Sequence, residues 1–349
     1  AAPWGATHRN SWKMLVERPH MAGGFYWTGF DYRGEPTPFT WPSAGSFFGI
    51  MDLCGFPKSA FYMRQAQFID NQPVLNLIPH WDWPADTIGK KIQVMAMSNT
   101  DSIVLKLNGK VIGGQKADRL MMNSWDVPYQ PGKLEAIAYQ NGKVVARKIV
   151  ETTGKPVAVK LTPDRKSLLG NGTDAMPVTV ELVDAKGRHI ATANNSIQFT
   201  VSGPANIIGL GNGDPNSHEA EKGNQRKLFN GLAQVIIQST EQAGEVVLTA
   251  SAEGMKTASI VIPVLPSALA PYVAIQMPET NIYRWRISPA SAERPDPNQK
   301  LADNDMNSWE PVSAGTLHQL GDKKFVVLRS NFKAVKSQRN NGGTIALTQ

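Results

Sequence analysis

Gly23-Gly-Phe-Tyr-Trp-Thr-Gly-Phe-Asp-Tyr-Arg-Gly-Glu-Pro-Thr-Pro38 decides how the opening of this 349-residue chain is read. The apolar run Met21 to Trp27, entered through two glycines, predicts a short buried strand. The Gly-, Pro- and Trp-rich residues after it predict a long loop. Lys58 to Phe68, opening after the turn Gly55-Phe-Pro57, reads as a helix, and residues 8–19 as a shorter helix stopped by Pro19. Strand, elaborate loop and helix make one β/α unit. In a (β/α)8 barrel the loop at a strand's C-terminal end carries the active-site residues. The region is rich in large aromatics: Trp4, Trp12, Trp27 and Trp41 all precede residue 69.

Beyond about residue 70 the hydrophobic period changes to two. Ile92, Val94 and Ala96 alternate with polar residues, and the run Ile103 to Leu107 follows. Asn108-Gly109 predicts a type I′ hairpin, and Asn141-Gly142 separates strands near 134–139 and 143–150. Strands about ten residues apart predict an Ig-like β-sandwich over 69–154, without the cysteine pair of true immunoglobulin domains. The texture recurs over 155–265, with strands near 157–161, 176–183, 197–201, 235–239 and 244–252, and predicts a second such sandwich. Pro263-Val-Leu-Pro266 reads as the start of a linker. The last region, 272–349, has too few strands to close a sandwich and reads as a truncated β domain.

Composition removes several function classes. Net charge is +7, dispersed except for Lys323, Lys324, Arg329, Lys333, Lys336 and Arg339. Only Phe325 and Phe332 interleave with that stretch, so no nucleic-acid partner is expected. No run reaches about 18 consecutive apolar residues, so no helical membrane span is expected. Cys54 is the single cysteine, and the six histidines lack zinc-ligand spacing, so neither metal nor cofactor is expected. Asp303, Asn304, Asp305 and Asn307 resemble only half of a calcium loop. Gly209-Leu-Gly-Asn-Gly213 precedes Asp-Pro-Asn-Ser-His-Glu rather than a helix, and so reads as a tight turn, not a phosphate loop.

Residues 23–38, Trp41-Pro-Ser43 and Phe48-Gly-Ile-Met-Asp-Leu-Cys-Gly-Phe-Pro-Lys58 together resemble the end of the catalytic barrel in glycoside hydrolase family 2. The resemblance is to β-galactosidase-type members and implies the eighth strand, its loop and the eighth helix over 1–68. Trp125-Asp-Val-Pro-Tyr-Gln-Pro-Gly132, Gly209 to Pro215 and Phe229-Asn-Gly-Leu-Ala233 are similar to the two Ig-like domains that follow the barrel in bacterial members. Asp303 to Trp309 resembles the opening of a galactose-binding-like jelly roll. The implied fold is mainly β: the last β/α unit of a (β/α)8 barrel, two Ig-like β-sandwiches and the start of a jelly roll.

Retaining glycosidases work with two carboxylates about 5 Å apart. In this family they end the fourth and seventh barrel strands, and the chain is read as beginning after the seventh. Neither catalytic glutamate is therefore expected here, no residue is assigned a catalytic role, and the chain alone is expected to be inactive. The substrate-binding candidates are Trp27, Asp31, Glu35 and Trp41, with Tyr32 beside them. The resemblance puts a sugar-contacting tryptophan at position 27. An indole accepts the C–H face of a pyranose because that removes apolar area from water while leaving the hydroxyls free. Asp31 and Glu35 either reach a sugar or hold the loop through backbone hydrogen bonds and a cation such as Arg33. Asp52 reads as a loop brace, and Cys54 as a small buried hydrophobe.

Family β-glucuronidases carry Asn-x-Lys just before this Gly-Ile; here Ser46 and Phe48 occupy those positions. A cation is missing where a uronate would need one, so a β-galactoside oligo- or polysaccharide is the expected substrate. The expected protein partner is the rest of the barrel, and the expected location periplasmic or extracellular. The alternative is a non-catalytic carbohydrate-binding or scaffold protein built of β-sandwich domains.

Overall fold

A computed structural model describes residues 7–267, 285–296, 307–312, 322–323 and 325–330. The chain divides into two units, 1–270 and 271–349. The first opens with α1 (His8–Val16), capped by the Thr7 hydroxyl, which accepts the Asn10 N–H at 3.4 Å. The strand expected over 21–27 does not form. These residues join no ladder, and Phe25 and Trp27 are exposed. A barrel strand exists only where neighbouring strands pair with it, and no strand among the described residues pairs with 21–27.

Extended pairing begins one residue later. Ile50 and Met51 N–H groups donate to the Thr28 and Gly29 carbonyls at 3.1 and 3.0 Å, and Asp31 N–H donates to Met51 at 3.0 Å. A ribbon of β1 (Tyr32–Arg33) and β2 (Gly45–Ser46) follows, so the loop 34–44 leaves and returns at one place. The expected second helix forms as α2 (Ser59–Phe68). Its Met63 and Ala66 pack on Val74 and Met97. Arg119 donates to the carbonyls of Ala66, Gln67 and Ile69, three of the groups that a helix end leaves unpaired.

Seven strands follow: β3 (Leu75–Ile78), β4 (Lys91–Ser98), β5 (Ser102–Leu107), β6 (Lys110–Lys116), β7 (Asn123–Pro128), β8 (Lys133–Gln140) and β9 (Lys143–Glu151). They form antiparallel sheets β3-β4-β7 and β6-β5-β8-β9 over one core. Both Asn-Gly turns adopt the left-handed pair of angles that a type I′ turn demands: φ 49° and 83° at 108–109, 50° and 72° at 141–142. Trp81 is fully enclosed. Its indole donates to the Gln130 carbonyl at 3.0 Å, and its ring meets Tyr129 edge-on at 5.2 Å.

A second sandwich comprises β10 (Ala158–Pro163), β11 (Leu168–Gly170), β12 (Ala175–Val183), β13 (Ser196–Ser202), β14 (Ala205–Gly211), β15 (Gln225–Lys227), β16 (Leu232–Ser239), β17 (Gly244–Ser251) and β18 (Ala258–Pro266). Its sheets run β10-β12-β16-β14 and β11-β18-β17-β13-β15, with β11 and β18 parallel. Inward residues alternate cleanly, as in Met176, Val178, Val180 and Leu182. The linker expected at Pro263–Pro266 is instead the end of β18. The first proline pairs only with β17 and the second only with β11, so each has an unpaired side for its missing N–H.

In the second unit, β19 (Trp285–Ile287) pairs antiparallel with β20 (Glu310–Val312) and β21 (Leu328–Arg329). Asp303, Asn304 and Asp305 of the half calcium loop lie outside the described residues, as do Phe332 and most of the basic stretch. No helix among the described residues is long and apolar enough to cross a membrane.

Candidate functional site

The site is built on the segment from Trp27 to Lys58. Trp27 is 70% exposed. Its indole N–H donates to the Tyr32 hydroxyl at 3.2 Å, and Tyr32 donates to Glu35 Oε2 at 2.9 Å. The two rings meet edge-on at 6.1 Å. Three of the sequence candidates thus form one hydrogen-bonded run that fixes the indole plane and leaves its face to solvent. The Trp27–Thr28 peptide is cis.

Asp31 occupies a different place. Its carboxylate is buried, and Oδ1 accepts the Gly49 N–H at 2.9 Å and Lys58 Nζ at 2.7 Å. Lys58 also donates to the Phe47 carbonyl at 3.0 Å. A cation at the entrance of α2 therefore ties helix and loop together. Arg33 pairs instead with Glu221 at 2.7 Å. Gly49 lies where a Cβ would run into the backbone of Phe30, Asp31 and Met51, so the crossing excludes every larger residue.

Asp52 Oδ1 accepts the Cys54 and Phe56 N–H groups at 2.8 and 3.0 Å. Burial still pushes this carboxyl above the usual range. Burial also raises the Cys54 thiol to about 12, with the Asp52 charge adding to it, which makes the thiol inert.

The second sandwich closes on this loop. Gly211 and Gly213 end β14 and begin the next turn. A Cβ on Gly211 would sit 2.5 Å from Cys54 Sγ, and one on Gly213, at φ +75°, would overlap the Asp52 carboxylate. Gln234 donates to the Cys54 carbonyl at 3.1 Å. Further out, Ser43 donates to Asn216 Oδ1 at 2.9 Å, and His218 Nε2 lies 2.8 Å from the Pro42 carbonyl oxygen. The His218 ring stacks on Trp41 at 4.5 Å with an interplanar angle of 27°. A cleft of about 290 Å³ between loop and sandwich is lined by Arg33, Cys54, Glu221 and Arg226, among others.

Lys58, His218 and Arg226 were not candidates in the sequence. The glycine run 209–213 was visible, but its partner lies some 160 residues upstream.

Residues 159–261 match the family model described as glycoside hydrolase family 2 C-terminal domain 5. The chain belongs to glycoside hydrolase family 2. Within its first sandwich, residues 89–146 match a domain of unknown function, DUF4982. This family 2 chain is 43% identical over 262 residues to beta-galactosidase BoGH2A of Bacteroides ovatus, covering 74% of this chain and 30% of that protein. It is 32% identical over 255 residues to a putative beta-glucuronidase of Formosa agariphila, covering 71% and 25%. A solved beta-glycosidase from Bacteroides vulgatus superposes with TM-score 0.70 at 31% identity, over 74% of this chain and 33% of that one. The family 2 chain thus spans a quarter to a third of the length of these relatives.

Proposed function

We propose that this chain supplies one wall of the sugar site of a retaining β-galactosidase-like glycosidase, and that the catalytic glutamates belong to sequence upstream of Ala1. The observation that carries the reading is the Trp27–Tyr32–Glu35 run, which holds an open indole face in a fixed plane. A β-galactoside lays its C–H face on Trp27 while upstream carboxylates form and hydrolyse the covalent glycosyl-enzyme. In the whole protein residues 1–68 complete the last β/α unit of the barrel, with 21–27 pairing as a strand only beside the neighbouring units. The exposed Met14, Val16, Met21, Phe25 and Phe30 are the apolar area that the other units cover. The two sandwiches, over 69–154 and 155–265, are Ig-like, and 272–349 opens a galactose-binding-like jelly roll. The protein acts in the periplasm or outside the cell.

Its relatives are named as both galactosidases and glucuronidases. The choice of a neutral sugar rests on Ser46 and Phe48, which offer no cation, and on Lys58, whose ammonium is engaged by Asp31.

The test is to express the chain with and without its upstream coding sequence and to assay aryl β-galactoside and aryl β-glucuronide. The long form should turn over the galactoside, and the 349-residue chain neither substrate. Trp27→Ala in the long form should lower kcat/KM about tenfold to a hundredfold. Preference for the glucuronide, or turnover by the 349-residue chain, overturns the reading.

A further inference from the structure

Trp41 is the most exposed tryptophan among the described residues, at 80%. It is nevertheless held firmly. His218 stacks beneath it, the His218 ring nitrogen bonds to Pro42, and Asn216 accepts from Ser43. These tethers span 173 and 176 residues of chain. The loop that supplies them is itself anchored from below. Arg226 is buried, and its guanidinium donates to Asn212 Oδ1 at 2.9 Å, Ser217 Oγ at 3.2 Å and the Glu219 carbonyl at 3.1 Å. It grips both residues flanking His218.

An indole with one face on an imidazole and the other in water gains nothing for the core. The same arrangement is what a stacking surface for a ring with an apolar face requires. The ribbon β1–β2 carries Trp41 in its loop and begins at Tyr32, the partner of Trp27, so both indoles belong to one loop system.

We propose that Trp41 and His218 form a second sugar-stacking site, to which the second sandwich contributes His218 directly and Arg226 as a positioning residue. It takes a further pyranose ring of the same β-linked oligosaccharide whose terminal ring rests on Trp27. This rests on the reading of Trp27 given above. It adds that the second sandwich takes part in recognising long substrates.

The 349-residue chain is titrated with a linear β-linked galactotriose, and saturation transfer to each sugar ring is read by NMR. Trp41→Ala and His218→Ala should each cut the transfer to one ring at least about fivefold, with an unchanged melting temperature. Trp27→Ala should spare that ring, and His218→Phe, which keeps the stack, should retain it. Transfer that is indifferent to Trp41 and His218, or no transfer to the native chain, overturns the proposal. Loss confined to Trp27→Ala overturns it while leaving the Trp27 reading intact.

Discussion

Lys58→Met tests whether one buried ion pair holds the candidate site in shape. Lys58 Nζ lies 2.7 Å from Asp31 Oδ1, with side-chain exposures of 32% and 3%. Removing one partner of a buried pair costs about 3–5 kcal/mol. The half-open ammonium places this pair at the low end, about 3 kcal/mol. Loss of the Lys58 bond to the Phe47 carbonyl adds about 1 kcal/mol. The sum, about 4 kcal/mol, is on the order of a thousandfold in the opening equilibrium of the loop. Hydrogen exchange of residues 45–58, including the Gly49 amide, reads it directly.

The rescue carries the sharper test. Without its cation, the buried Asp31 carboxylate is left unpaired beside the Gly49 N–H. Asp31→Asn in the Lys58→Met background removes that charge and keeps an acceptor for Gly49, so it should restore protection. Unchanged exchange in Lys58→Met, or a defect indifferent to Asp31→Asn, refutes the reasoning.

The Asp52 carboxyl is already raised by burial, so its share of stability is present below the ordinary carboxylate range and lost as pH rises. Asp52→Asn keeps an acceptor without the charge, and should slow Cys54 and Phe56 amide exchange at neutral pH. Asp184 has the opposite sign: the Arg188 guanidinium, then the Gly154, Arg188 and Lys186 N–H groups, hold it well below the usual range. Its contribution is present above the ordinary value and lost on acidification, so Asp184→Asn should flatten the acid limb of a melting-temperature profile. Trp81→Phe leaves a cavity where the enclosed indole sat and removes its bond to the Gln130 carbonyl, and should lower the urea midpoint by about 2–3 kcal/mol equivalent at constant slope.

The sandwich strands were legible because period two and Asn-Gly turns are local signals. Asn108-Gly109 and Asn141-Gly142 each supply the left-handed angles of their turns from two adjacent residues. The prolines of β18 were misread because the sequence cannot show which side of a strand lacks a neighbour. Residues 21–27 were misread for a related reason: apolar character gives strand propensity, but pairing requires partners.

At the site, Trp27, Tyr32 and Glu35 sit within nine residues and could be seen together. Asp31 was seen, but its cation was sought at Arg33, two residues away, and lies at Lys58. His218 could not be found at all. Its meaning depends on Trp41, and no periodicity or motif reports a stack across 177 positions.

The closure of Gly211, Gly213 and Gln234 over residues 52–54 also sets an order of assembly. Gln234 follows Cys54 by 180 residues. At about 5–20 residues per second, a ribosome needs roughly 10–35 seconds to make that interval. Through that time the aromatic loop lacks its support from the second sandwich, although the first sandwich is complete once Glu151 is made, about halfway through. Synthesis that stalls before Gly211 therefore yields a folded first sandwich carrying a half-supported loop, and the candidate surface matures only with the second sandwich although its tryptophans precede both sandwiches.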